Sequence, residues 1–144
     1  MNRLHPILVA AALALGAQAL PLAAAEAEVP YAPYLECAAA HGNYAFLLRK
    51  SCYTDEADLK KVESRVAVYA RIAESLAGRP LRDELVATTA RMQAKDEAVM
   101  HSEGAEGYLR HAAEAEQACA QRVEQDKPAL LKAMEAYGAA QAHP

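Results

Sequence analysis

The sequence lacks the short motifs that commonly mark an enzyme active site. It has no glycine-rich phosphate loop, no serine in a G-x-S-x-G turn and no H-E-x-x-H zinc sequence. Each of these motifs places particular side chains against a reacting group, and no other spacing of catalytic residue types replaces them here. We therefore expect a protein that is not an enzyme and that needs no cofactor.

Clusters of basic residues are also missing. The 15 lysines and arginines are spread along the chain and are outnumbered by 19 acidic residues, which gives a formal net charge of −4. Nucleic acids and anionic membrane surfaces both require a concentrated positive patch on their partner. The charge pattern thus excludes nucleic acid as a partner and argues against binding to a membrane surface.

Bulky aromatic residues and strand-like patterns are scarce. The chain has no tryptophan, Phe46 is its only phenylalanine, and no segment alternates apolar and polar residues over a useful length. Alanine instead dominates the apolar residues, and alanine has the highest helix propensity. The composition predicts an all-α protein whose helices pack closely.

The first 25 residues have the order of a secretory signal peptide. Arg3 is followed by an uncharged stretch from Ile7 to Leu20, and small residues end at Ala25. The uncharged stretch is shorter than the roughly 20 residues that a membrane-spanning helix needs. We expect cleavage after Ala25 and a periplasmic or secreted protein, with an uncleaved anchor or a buried N-terminal helix as the alternatives.

The remaining residues suffice for one domain. Pro30 and Pro33 predict an extended lead-in over residues 26–33, because proline disfavours regular structure around it. A single helical-bundle domain is expected over 34–138, and the tail 139–144 is expected to fray.

Spacings of three and four residues predict four amphipathic helices. The four apolar stripes are Tyr34, Ala38, His41, Ala45, Leu48 and Cys52; Leu59, Val62, Val66, Tyr69, Ala73 and Leu76; Leu81, Leu85, Thr88, Met92, Lys95 and Val99; and Tyr108, Ala112, Ala115, Cys119 and Val123. Short connections between such helices are typical of an up-down-up-down four-helix bundle. An irregular helical array and a helical hairpin that dimerises are the alternatives.

Capping and breaking residues set the predicted helix ends. Thr54 is the expected cap at the start of the second helix, and Gly78 is the expected left-handed cap at its end. Pro80 is expected in the first turn of the third helix. Residues 102–107 interrupt the pattern, and Pro128 predicts either a kink in the fourth helix or a short extra C-terminal helix.

The three cysteines can be paired by geometry. If the first helix runs up to about residue 51 and the fourth starts down at about residue 105, Cys37 and Cys119 both lie roughly 21 Å below the same end of the bundle. The first and fourth helices of an up-down bundle are neighbours, so we predict a disulfide between Cys37 and Cys119. The alternative is that both cysteines are buried thiols.

Cys52 is then left over at the end of the bundle from which these distances are measured, far from both other cysteines. An unpaired cysteine in an exported protein is a half-buried packing residue, the site of a covalent homodimer, or a reactive thiol. The cation on Lys50 and the positive end of the second helix would both lower its thiol pKa.

Four residues are weak candidates for holding a metal or haem. His41 and Met92 are predicted at a similar height inside the bundle, which is how some cytochromes hold haem. His101 and His111 flank a glycine-containing break near its end. No spacing matches a ligand set of fixed geometry, so a buried, hydrogen-bonded His41 and a solvated surface at His101 and His111 are the simpler interpretations.

The favoured hypothesis is an exported, non-enzymatic helical module that acts by protein contact, as a chaperone, an inhibitor or an envelope-stress component. Two alternatives remain open at this point. One is a helical bundle that binds a metal or cofactor, and the other is a thiol-active periplasmic protein that works through Cys52.

Overall fold

Three helices make up nearly all of the part of the protein that the structure describes. A computed structural model describes residues 28–50 and 55–142, with α1 over Ala32–Lys50, α2 over Glu56–Ala77 and α3 over Arg82–Ala142. The described residues contain no strand, so the predicted all-α class is confirmed. The predicted signal peptide, residues 1–25, lies outside the described residues.

The first helix begins earlier than the prolines suggested. Pro33 lies in the first turn of α1, where the amides of Tyr34 and Leu35 both donate to the carbonyl of Tyr31. Proline is tolerated in a first turn because its missing N–H would have no partner within the helix. The irregular lead-in therefore ends before Pro33 rather than after it.

The second helix is capped at both ends. The Asp55 carboxylate accepts a hydrogen bond of 2.7 Å from the Ala57 amide, so the observed N-cap is Asp55, while Thr54 lies outside the described residues. Gly78 ends the helix with a φ of 66°, and its N–H donates to the Glu74 carbonyl. The predicted left-handed cap at Gly78 is confirmed.

The third helix changes direction at Gly104. Its φ of 73° and ψ of −171° are not helical, and they separate an N-terminal arm, residues 82–103, from a C-terminal arm, residues 105–142. This backbone conformation is open to glycine and costs strain for any residue with a Cβ atom. Gly104 therefore allows the two arms of α3 to point in different directions.

The N-terminal arm runs parallel to α1. The Tyr31 hydroxyl donates to Glu84 at 2.9 Å, and further along both helices the Asn43 side-chain amide donates to Asp96 at 3.0 Å. Residue numbers rise together in these pairs, so both segments run the same way.

The C-terminal arm runs antiparallel to α1. The Tyr34 hydroxyl donates to the Asp126 carboxylate at 2.8 Å, whereas Cys37, which comes later in α1, is bonded to Cys119, which comes earlier in α3. The two arms therefore run in opposite directions along α1, and α3 folds back on itself at Gly104.

The predicted four-helix bundle is not confirmed, because the described residues form three helices. The break expected over residues 102–107 is confined to the single residue Gly104. Pro128 does not end the helix, and α3 continues to Ala142. Packing holds the turns after Pro128 in place, since Leu130 is buried and Tyr137 lies under the Arg71 guanidinium at 4.6 Å.

The hydrophobic core joins all three helices. Its largest fully buried side chain is Tyr34, and it also contains Leu35, Cys37, Ala38, Tyr69, Ile72, Ala73, Leu81, Cys119 and Leu130. Six of these ten residues belong to the predicted stripes, namely Tyr34, Ala38, Tyr69, Ala73, Leu81 and Cys119. The other four, Leu35, Cys37, Ile72 and Leu130, lie outside those stripes. The disulfide between Cys37 and Cys119 lies within this core, as the height argument predicted, with the two α-carbons 5.9 Å apart.

We predict that replacing Cys37 and Cys119 together by alanine lowers the free energy of unfolding by about 2–4 kcal/mol. The bond joins residues 82 positions apart, so its loss frees a long loop in the unfolded chain. Urea denaturation measures the change against a Cys52→Ala reference that keeps the disulfide and has no third thiol. An unchanged midpoint would contradict the prediction.

Two glycine substitutions should act in opposite directions. Gly104→Ala forces a Cβ atom into a strained conformation and should lower the free energy of unfolding by about 1–3 kcal/mol. Gly42 lies within α1 with open space around the position of a Cβ atom, so Gly42→Ala should raise it by about 0.5–1 kcal/mol. Thermal melts of both variants test this, and a stabilised Gly104→Ala protein would refute the role of Gly104.

A candidate ligand cavity between the three helices

A cavity of about 360 Å³ lies where α1, α2 and both arms of α3 meet. Its apolar wall is made by Val62 of α2 and, from α3, by Met92, Val99, Ala112 and Ala115. The short alanine side chains of the C-terminal arm do not reach across to the other helices, so space remains beside them. The volume is within the range of small-ligand sites.

His41 is the most deeply buried polar residue on the cavity wall. Its side chain is 5% exposed, and its Nδ1 atom lies 2.9 Å from the Cys37 carbonyl oxygen, one turn earlier in α1. A carbonyl only accepts hydrogen bonds, so Nδ1 carries the proton and the neutral ring keeps a lone pair on Nε2. The backbone of α1 thus fixes which nitrogen of His41 is an acceptor.

The Nε2 atom of His41 has no hydrogen-bond partner among the described residues, although it is buried. The Tyr69 ring packs against the imidazole with a centroid distance of 5.1 Å and helps to hold the ring in place. A buried polar atom without a partner costs free energy and is uncommon in native proteins. The atom has almost no accessible surface, so it lies behind the cavity wall and a ligand in the cavity does not reach it.

Asp96 places a carboxylate on the same cavity. It is half-buried, and its Oδ2 atom accepts the hydrogen bond from Asn43. Burial raises the pKa of the Asp96 carboxyl, and the Asn43 hydrogen bond opposes part of that rise. Asp96 has no ion-pair partner in the described part of the chain, so its charge is only partly compensated.

Two tyrosines, Tyr44 of α1 and Tyr108 of α3, complete the wall near Asp96. The pKa of Tyr108 is raised to about 12, first by burial, then by the negative charge of Asp96, and then by Tyr44. Tyr108 therefore stays protonated at physiological pH, and both rings offer aromatic surface to the cavity.

The other charged side chains of the cavity lie at its exposed rim. Lys95 extends into solvent, His111 lies 3.2 Å from the Glu103 carboxylate, and Glu116 forms an ion pair with Arg65 of α2. Except for Lys95, these rim groups already have charged partners. The charges at the rim therefore need less compensation from a ligand than the charge of Asp96, which lies deeper.

Three of the four weak candidates for a metal lie together in this cavity. His41, Met92 and His111 line it, whereas His101 is exposed and does not. Among residues 28–50 and 55–142, no group of three or more histidine, cysteine, aspartate or glutamate side chains is arranged to hold a metal ion.

The sequence pattern missed Asp96, Tyr44 and Tyr108 as site residues. The predicted third stripe placed Lys95 on the inner face, but Lys95 is exposed and Asp96 is half-buried. A signal was present, because Asp96 follows Met92 by four residues and precedes Val99 by three, which is also a helical stripe. Cys52 lies outside the described residues, so the homodimer or thiol role proposed for it remains a prediction.

No protein-family model, curated protein or solved structure matches this chain. Within the described ranges, no helix combines the length and the hydrophobicity that are needed to cross a bilayer. The function must therefore be argued from the cavity and its side chains.

We predict that Asp96→Asn raises the melting temperature at pH 7. A carboxyl whose pKa is raised by folding loses stability as pH rises through its ordinary value, and asparagine removes that cost while keeping an oxygen for Asn43. The two proteins should converge below the ordinary aspartate pKa of about 4. Glu97→Gln, which makes the same charge change at an exposed neighbour, is the control and should show little effect.

Proposed function

We propose that this protein is an exported, non-enzymatic helical module that binds a small organic ligand in the cavity beside His41. The ligand lies at the centre of an up-down-up-down packing in which the two arms of α3 take the places of the third and fourth helices. The observation that carries the proposal is the half-buried carboxylate of Asp96, which lines the cavity and has no ion-pair partner among the described residues.

Export is supported by two independent features. The first 25 residues follow the order of a signal peptide, and Cys37 and Cys119 form a disulfide, which persists in oxidising compartments. We therefore place the protein in the periplasm or outside the cell.

Ligand binding explains a combination of features that folding alone does not. Filling the space beside Ala112 and Ala115 with larger apolar residues would add contacts to the core. Pairing Asp96 with a cation, or replacing it by a neutral residue, would remove the cost of its partly buried charge. Both the empty volume and the unpaired carboxylate are accounted for by a ligand that fills one and pairs with the other.

The test uses N-phenyl-1-naphthylamine, a fluorescent dye with an apolar body and one N–H donor. We expect its fluorescence to rise on binding to the oxidised protein. Ala115→Trp fills the cavity and should lower the affinity at least about tenfold, because the indole occupies the volume that the dye needs.

Ala118→Trp is the matched control for this experiment. Ala118 is on the same arm of α3, is exposed and does not line the cavity, so the same substitution there should leave dye affinity within about twofold. Equal dye binding by both tryptophan variants, or no dye binding by the parent protein, would show that the cavity is not a ligand site.

Protein contact remains a second candidate function. Leu131 and Met134 lie one turn apart on the C-terminal arm, and they are 61% and 39% exposed, respectively. Paired exposed apolar residues of this kind occur at protein contacts, although single exposed apolar side chains are ordinary. This pair lies on the part of α3 that follows Pro128, away from the residues of the cavity.

A further inference from the structure

The cavity presents a carboxylate that needs hydrogen-bond donors. Asp96 accepts at every free position, and Asn43 satisfies only one of its oxygens. A ligand that only accepts hydrogen bonds would leave the other oxygen unpaired.

The charge of Asp96 further limits the chemical classes of ligand that fit the cavity. A half-buried carboxylate without an ion-pair partner in the described ranges attracts a cation more strongly than a neutral donor, because water screens it incompletely. The rings of Tyr44 and Tyr108 line the same cavity, and aromatic faces also attract ammonium groups. The deeper part of the site thus favours positive charge.

Lys95 is a cation at the rim of the cavity, and its charge opposes the binding of a positively charged ligand. It is exposed to solvent, where its ammonium group is screened, whereas Asp96 is half-buried. His111 is engaged by Glu103, and Glu116 by Arg65, so neither adds an uncompensated charge. The least compensated charge on the cavity is therefore the carboxylate of Asp96.

The remaining wall and the volume limit the body of the ligand. Val62, Met92, Val99 and Ala112 offer only apolar contacts, which stabilise an apolar group removed from water. A volume of about 360 Å³ is near the lower end of the range for small-ligand sites, so the ligand is small.

We propose that the cavity binds a small organic amine in its protonated form, with the ammonium group on Asp96 and a ring-sized apolar body against Val62 and Met92. This inference rests on the proposed function, since it names the chemical class of the ligand for the same site. It assigns Asp96 the recognition of the ligand's charge.

The test compares 2-phenylethylamine with 2-phenylethanol by isothermal titration calorimetry on the oxidised protein. The two probes share the ring and the chain, and at pH 7 only the amine is charged. We expect the amine to bind at least about tenfold more tightly, because a charge-assisted hydrogen bond is stronger than a neutral one.

Two variants test the role of Asp96. Asp96→Asn should bring the amine to the affinity of the alcohol. Glu97→Gln, with the same charge change on the surface, should keep the tenfold preference. Circular dichroism melts confirm that each variant is folded before it is titrated.

The outcomes distinguish this inference from the proposed function. Equal affinities of amine and alcohol in the parent protein, with both lost in Ala115→Trp, would overturn the amine preference and leave the cavity as a ligand site. A preference for the amine that survives in Asp96→Asn would also overturn it. If neither probe binds, the inference is wrong, and binding of the naphthylamine dye decides the proposed function separately.

Discussion

One covalent bond holds the two segments that form opposite sides of the cavity. Cys37 lies one helical turn before His41, and Cys119 lies one turn after Ala115, so the disulfide crosses between α1 and α3 directly beside the cavity. Side chains on facing walls of an empty volume make no dispersion contacts with each other, and alanine side chains make few contacts in any case. The walls of the cavity are therefore held together by the disulfide and by the core around Tyr34.

The same bond also orders the polar chemistry of the site. The carbonyl that fixes the His41 tautomer belongs to Cys37, so the residue that is covalently tied to α3 also determines which imidazole nitrogen accepts. An acceptor without a donor and a partly buried carboxylate both oppose folding. A domain that retains both beside an empty volume has kept them at a cost in stability, and such costs are characteristic of functional sites.

Much of the fold follows from local patterns in the sequence. Three- and four-residue spacing locates the buried faces of α1 and α2, and rise per residue pairs Cys37 with Cys119 from the sequence alone. The sequence left open whether the helix ends or only kinks at Pro128, because its continuation depends on the burial of Leu130 and the contact of Tyr137 with Arg71. Tertiary packing there outweighs the local preference of proline to end a helix.

The candidate site was harder to predict from the sequence than the fold was. Periodicity cannot separate Lys95 from Asp96, since adjacent residues lie about 100° apart on a helix and either fits a broad inner face. The sequence likewise cannot show that the carbonyl partner of His41 leaves Nε2 unpaired, or that the alanines of α3 leave a volume unfilled. Both depend on how far helices approach each other.

The backbone conformation of Gly104 affects the width of the cavity. Val99 and Tyr108 line the cavity from opposite arms of α3, and a single non-helical residue lies between those arms. Two torsion angles, φ and ψ of Gly104, consequently set the separation between these two side chains. The width of the site therefore depends on the backbone of a residue that is not part of the cavity wall.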